Sequence, residues 1–173
     1  MNITGGIYNG RKIIAPDSKI VRPTLSKVRM SVFNILFSEL GDFEGKSFLD
    51  MYGGSGIMGL EAISRGFSEV TVLEKNKKVA EIIKSNYKLL DLECDLKIGD
   101  SVKLAKSSDK KYDVVYIDPP YMSGIYEESL NAAPSKNIII LEHTTEVDFS
   151  KSELIKQKKY GDKYLTFLRV IPQ

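Results

Sequence analysis

The sequence predicts an α/β domain: a mostly parallel sheet with helices on both faces, and an antiparallel hairpin closing one edge. Three observations carry that expectation. From residue 46 onward, short apolar runs alternate with segments of helical periodicity. Those runs are apolar at successive positions, so both faces of each strand are expected to be covered. Near the C-terminus two β-rich runs are separated only by Gly161-Asp162, a turn that joins antiparallel neighbours.

Each element follows in order. Strand-like pieces flank Asn9-Gly10, a strong hairpin signal, so an N-terminal β-hairpin is expected. A loop with Pro16 and Pro23 comes next, and Thr24 is expected to cap a helix over 25–40. Val28, Val32, Ile35 and Leu36 form its apolar stripe, and Gly41 and Gly45 end it. A strand over 47–52 enters Gly53-Gly54-Ser55-Gly56, and a helix over 57–65 closes at Gly66. Then come a strand at 69–74, a helix at 76–90, a strand at 96–98 and a helix at 102–106. A strand over 112–118 runs into Pro119-Pro120, followed by a helix at 126–132 and a strand at 137–142. Strands near 154–160 and 163–171 finish the seven-stranded sheet. Residues 1–44 are too few to form their own core and are expected to pack on the sheet's ligand edge or on one face. Residues 45–173 form the main domain.

Composition narrows the function classes. With 42% hydrophobic and 28% charged residues the 173-residue chain is globular, which excludes wholesale disorder. Cys94 is the single cysteine and His143 the single histidine, so an intrachain disulfide is impossible and no metal site is expected. No apolar run reaches the roughly 18 residues of a membrane span, and the first residues lack a secretory core. A soluble cytoplasmic protein is expected, with no membrane partner. Charge is uneven: residues 1–30 carry six basic side chains against one acid, and residues 150–173 carry six against two. Brought together, those ends would suit a polyanion.

Ligands of open parallel sheets bind beyond the carboxyl ends of the strands. Four of those ends carry acids here: Asp50, Glu74, Asp100 and Asp118. The glycines after Asp50 allow close backbone approach and a sharp turn into a helix. Their spacing excludes a P-loop, while Gly54, Gly56 and Gly59 keep a dinucleotide reading open. An acid just before the glycines would repel pyrophosphate. It suits a cation better, and S-adenosylmethionine carries both a sulfonium and an ammonium. Glu74 can accept ribose hydroxyls, and Asp100 an adenine amine. Asp118-Pro119-Pro120-Tyr121 is the sharpest signal. The prolines remove donors and fix the backbone, so an acid and the Pro119 carbonyl can accept both hydrogens of an exocyclic amine. Tyr121 can stack on its base. Glu142 faces the same edge, with a structural or a substrate role equally open. His143 and Cys94 are expected to be ordinary packed residues, and Tyr8 and Tyr52 to pack by default.

These residues resemble a known family. Asp118-Pro119-Pro120-Tyr121, together with the glycine-rich corner, is similar to the class I (Rossmann-like) S-adenosylmethionine-dependent amino-methyltransferases. The N-terminal pattern Gly5-Gly6, Gly10-Arg11-Lys12, Arg22-Pro23-Thr24, Val28-Arg29 and Phe33-Asn34 narrows the resemblance to the RsmD family. That family methylates N2 of guanine 966 in 16S rRNA. Met30 stands where the family usually has an acid, and Gly53 where it usually has alanine. The resemblance implies a cofactor site built from Asp50, Tyr52, Gly53, Gly54, Ser55, Gly56, Glu74, Lys75, Asp100 and Ser101. It implies catalytic roles for Asp118, Pro119, Pro120 and Tyr121. Arg11, Lys12, Arg22, Thr24 and Arg29 are the expected RNA contacts. The implied partner is 16S rRNA within the small ribosomal subunit or its assembly intermediate, met by a monomer. The alternatives are an adenine-N6 methyltransferase and a non-catalytic RNA-binding assembly factor.

Overall fold

The structure, a computed structural model, describes residues 1–172. Its strands are β1 (Ser47–Asp50), β2 (Glu69–Glu74), β3 (Asp95–Ile98), β4 (Tyr112–Ile117), β5 (Ser135–His143), β6 (Ser152–Tyr160) and β7 (Lys163–Val170). They form one sheet in the order β3-β2-β1-β4-β5-β7-β6. The first five strands are parallel, while β7 runs antiparallel to both β5 and β6. The helices are α1 (Ser26–Leu40), α2 (Ile57–Ser64), α3 (Lys77–Leu89), α4 (Ser101–Lys106) and α5 (Ile125–Ala132).

The alternation of side chains along the central strands divides the core. Phe48, Val114, Tyr116, Ile138 and Ile140 pack with α1, α2 and α3. Leu49, Val115, Ile117, Ile139 and Leu141 pack with α4 and α5. This is the two-faced burial expected of a parallel sheet. It fails at the edges: β3 and β6 are largely exposed, because each has one neighbour and little helix above it. No helix among the described residues is long and apolar enough to cross a membrane.

Two local expectations change. Thr24 does not cap α1; the N-cap is Leu25, with no side-chain hydrogen bond. The Thr24 carbonyl instead accepts a bond from the Arg29 guanidinium. The N-terminal segment does double back at Asn9-Gly10, with Gly10 at φ +83°. Ile3 N–H donates to Arg11, Gly10 N–H to Ile3 and Ile13 N–H to Met1. Regular pairing is nevertheless reduced to one bridge, Asn2 to Lys12, because the segment spends its other polar groups on the helices beneath it. Ile7 N–H reaches the Ser64 carbonyl at 2.8 Å. The Asn86 side chain accepts from Ile14 N–H (2.7 Å) and donates to the carbonyls of Ile14 and Ser55. Gly6 sits so close to α2 that a Cβ there would lie 1.9 Å from the Ser64 carbonyl oxygen. The extension is thus fastened to α2, α3 and the glycine-rich turn.

Candidate active site

The strand order reverses between β1 and β4, the switch point where open α/β sheets form their ligand crevice. Asp50 is in register with Tyr116. Asp118, two residues further on, therefore stands beside it at the carboxyl edge. A cavity of about 840 Å³ opens there. Asp50, Tyr52, Gly53, Gly54, Ser55, Glu74, Lys75, Asp100 and Ser101 line it, as do Asp118, Pro119, Pro120 and Tyr121. Its wall on the extension's side carries Arg22, Pro23 and Thr24.

Asp50 is fully buried. Its Oδ1 accepts the Tyr52 N–H at 3.2 Å, and its Oδ2 has no hydrogen-bond partner. Burial pushes its carboxyl well above the ordinary value, and the charges of Asp118, Glu74 and Glu142 push it further, against the Tyr52 bond. An orphaned carboxylate oxygen among acids is what a cationic ligand satisfies. The sulfonium and ammonium of S-adenosylmethionine fit that requirement. Gly53 is tightly covered: a Cβ there would approach Val72 Cγ1 to 2.5 Å and Ile83 Cδ1 to 2.9 Å, so an alanine would require both side chains to shift. Gly54, at φ +58°, presents its N–H to Glu74 Oε2 (3.0 Å), while Glu74 Oε1 accepts from Asn76 N–H. Asp100 caps α4 by accepting the Lys103 N–H at 2.9 Å. Tyr52 is half-buried, and its hydroxyl shares a hydrogen bond with Ser129. Gly56 lies outside the cavity; at φ +81° it begins α2.

Asp118 is held above the ordinary carboxylate range, at about 7. Desolvation is the main cause and the Glu142 charge the next, opposed by the ammonium of Lys163. Lys163 Nζ lies 2.8 Å from Asp118 Oδ1 and 2.7 Å from Glu142 Oε2. Burial disfavours that ammonium, yet the two acids together raise its pKa. Tyr116 donates its hydroxyl to Glu142 Oε1. Tyr121 is 69% exposed at the mouth, free to meet a planar ligand.

Of the expected RNA contacts, Arg22 and Thr24 reach the cavity. Arg11 and Lys12 are exposed away from it, with Arg11 bonded to the Leu89 carbonyl at the end of α3. Arg29 needs correction. It is 1% exposed and pairs with buried Glu61 at 3.1 Å, so it fastens the extension and is closed to a phosphate. Glu61 also accepts from Thr4 and Arg65. The signal was present: position 29 lies on the helical stripe of Val32, Phe33 and Leu36. Lys163 was missed because its reach depends on β7 running antiparallel, which brings the start of that strand to the ligand edge. His143 is buried and satisfied, bonded to the Thr145 carbonyl and the Thr166 hydroxyl, and burial holds its pKa low.

Comparison with known proteins places this arrangement. A family model described as Conserved hypothetical protein 95 matches residues 1–169. The chain is 33% identical over 132 residues to Ribosomal RNA small subunit methyltransferase D of Escherichia coli. That match covers 76% of this chain and 65% of the relative, so the chain spans about two thirds of that protein's length. It is 29% identical to YlbH of Bacillus subtilis, over 93% of this chain and 94% of that one. Among solved structures, yhhF from Escherichia coli superposes with a TM-score of 0.86 at 24% identity, covering 100% of this chain and 99% of that one, a likeness of fold. The chain belongs to the Conserved hypothetical protein 95 family and is RsmD-like in sequence.

Proposed function

We propose that this chain transfers a methyl group from S-adenosylmethionine to the exocyclic N2 of a guanine in 16S rRNA, of the guanine 966 type, in the small ribosomal subunit. One observation carries the reading: Asp118-Pro119-Pro120-Tyr121 lines the same cavity as the cation-seeking Asp50. The name of the Escherichia coli relative supports the choice of rRNA. Asp50, Glu74 and Asp100, with residues 52–55, Lys75 and Ser101, would hold the cofactor, and Gly56 would turn the chain into α2 behind them. When bound, S-adenosylmethionine supplies an electrophilic methyl group on a positively charged sulfur.

The amine of guanine is a poor nucleophile because its lone pair is delocalised into the ring. Asp118 and the Pro119 carbonyl would accept its two hydrogens. That drives the nitrogen toward a tetrahedral geometry and offsets its developing positive charge. As the N–C bond forms and the S–CH3 bond breaks, the neutral thioether S-adenosylhomocysteine would leave, and the nitrogen would lose one proton, which the Asp118 carboxylate is placed to take. Tyr121 would hold the base out of its stack, as unpaired rRNA permits. Arg22 and Thr24 lie where flanking phosphates would pass, with Arg11 and Lys12 as outlying contacts. Residues 1–44 would serve as the RNA-facing extension and residues 45–173 as the methyltransferase domain, working as a cytoplasmic monomer.

The test is methyl transfer from labelled S-adenosylmethionine to small subunits lacking the modification, with the product nucleoside identified by mass spectrometry. N2-methylguanosine in 16S rRNA is expected. Methyladenosine, or no incorporation by a protein that binds the cofactor, would overturn the reading.

A further inference from the structure

We propose that Lys163 is a positioning residue for the transfer reaction: it clamps one oxygen of Asp118 against Glu142 and leaves the other as the single carboxylate oxygen offered to the substrate amine. The inference rests on the function proposed above. The geometry is specific. Lys163 Nζ contacts Asp118 Oδ1 at 2.8 Å, and among the described residues nothing donates to Asp118 Oδ2. With Oδ1 held, the carboxylate plane is set, and Oδ2 is the oxygen left without a donor on a residue that lines the same cavity as Pro119. One hydrogen of the amine then has one acceptor on Asp118, and the second is left for the Pro119 carbonyl.

Lys163 is itself anchored. Its other partner, Glu142 Oε2, lies 2.7 Å away on a side chain 3% exposed. The remaining oxygen of Glu142 takes the hydroxyl of Tyr116, which is 1% exposed. An ammonium that merely filled the amine's place would have to leave when substrate arrived. It would abandon a buried carboxylate, which is costly. The anchored arrangement therefore favours a clamp that stays through the reaction.

The charges facing Asp118 come from five elements. Lys163 stands on β7, Glu142 on β5, Tyr116 on β4, Asp50 on β1, and Arg22 on the segment before α1. Lys163 is the one cation bonded to the carboxylate among them. Removing it leaves Asp118 and Glu142 to repel each other, whereas neutralising Glu142 leaves Lys163 to Asp118 alone. The two substitutions should act in opposite directions on the Asp118 carboxyl, and a positioning role further requires that the transfer rate follow them.

The experiment is a carboxyl carbon NMR titration of Asp118 in the protein without cofactor, the signal assigned by its loss in Asp118→Asn. Lys163→Met should move the midpoint up by about one pH unit or more, and Glu142→Gln should move it down. Lys163→Arg should keep it near the parent value. The acid limb of the methyl-transfer pH profile should follow in the same directions, with Lys163→Met losing rate several-fold near neutrality. A midpoint unmoved by Lys163→Met, or moved the same way by both changes, overturns the clamp. If Lys163→Met does not fold, Glu142→Gln decides: an unmoved midpoint there also overturns it. Titration shifts of the expected signs in a protein that methylates no RNA would leave the clamp standing and remove the reaction assigned to it.

Discussion

Asp50 is an acid in surroundings that disfavour its charge. It is buried, one of its oxygens has no partner, and three other acids raise its pKa further. A cation bound there would favour the charged carboxylate, against the upward push of burial and of the neighbouring acids. Asp50→Asn should raise the cofactor dissociation constant at least about tenfold, roughly 1.4 kcal/mol, as calorimetry would measure. Unchanged affinity would remove Asp50 from the cofactor site. Tyr121 makes a different kind of contact. An exposed aromatic at the mouth suits stacking, worth about 1–3 kcal/mol per base. Tyr121→Ala should raise KM for the RNA and leave cofactor affinity alone; a loss confined to cofactor binding would contradict that role. Asp118 was legible because its motif is local, four consecutive residues after an apolar strand. Lys163 was not, since its partner lies 45 positions away and the pairing needs the antiparallel return of β7.

At the scale of elements, the extension is held by a buried ion pair as well as by apolar packing. Arg29 and Glu61 join α1 to α2, and Arg29 also reaches the Asn2 carbonyl at 2.8 Å. Arg29→Met would leave Glu61 with the more exposed Arg65 as its one remaining cation, beside the Thr4 hydrogen bonds. Breaking such a pair costs about 3–5 kcal/mol. The denaturation midpoint should fall accordingly, and adding Glu61→Gln should recover part of the loss. A change under about 1 kcal/mol would contradict the structural role given to Arg29 and reopen its reading as a phosphate contact. The regular elements were largely legible because period-2 and period-3.6 patterns are local: β2 spans the expected 69–74, and the other ends shift by a few residues. The hairpin at Asn9-Gly10 was legible as a turn. Its strands were not, because Glu61, Ser64 and Asn86 take hydrogen bonds that a ladder would have used.

For the whole molecule, concentrating acids at one edge makes stability depend on pH. The folded state holds the Asp118 proton far more tightly than the unfolded chain, at about 7 against an ordinary 3.8, and Asp50 shifts the same way. Stability from these groups is therefore full below the ordinary carboxylate value and is lost as pH rises through about 7. Denaturant unfolding should show a lower free energy at about pH 8 than at about pH 5, with the difference reduced in Asp118→Asn. A difference unaltered by that substitution would contradict the buried-acid account. The ligand edge was foreseeable from strand alternation, since open parallel sheets bind beyond the carboxyl ends of their strands; the order that sets the ends of β1 and β4 side by side was not. Which basic residues reach the cavity was not foreseeable either, because it depends on how loops place them: Arg22 lines it, while Arg11 and Lys12 do not.

The proposed reaction divides labour within one cavity: Asp50 would hold the cationic cofactor and Asp118 the amine. The most direct test is single-turnover methylation of unmodified small subunits by Asp118→Asn at saturating labelled cofactor. An amide keeps the shape and loses the charge that accepts the amine's proton. Transfer should fall by at least about a hundredfold, a typical contribution of general-base catalysis, while the cofactor dissociation constant stays within a few-fold of the parent. Near-parental transfer by a variant that binds cofactor normally would contradict the assignment of Asp118 as the group that receives the amine.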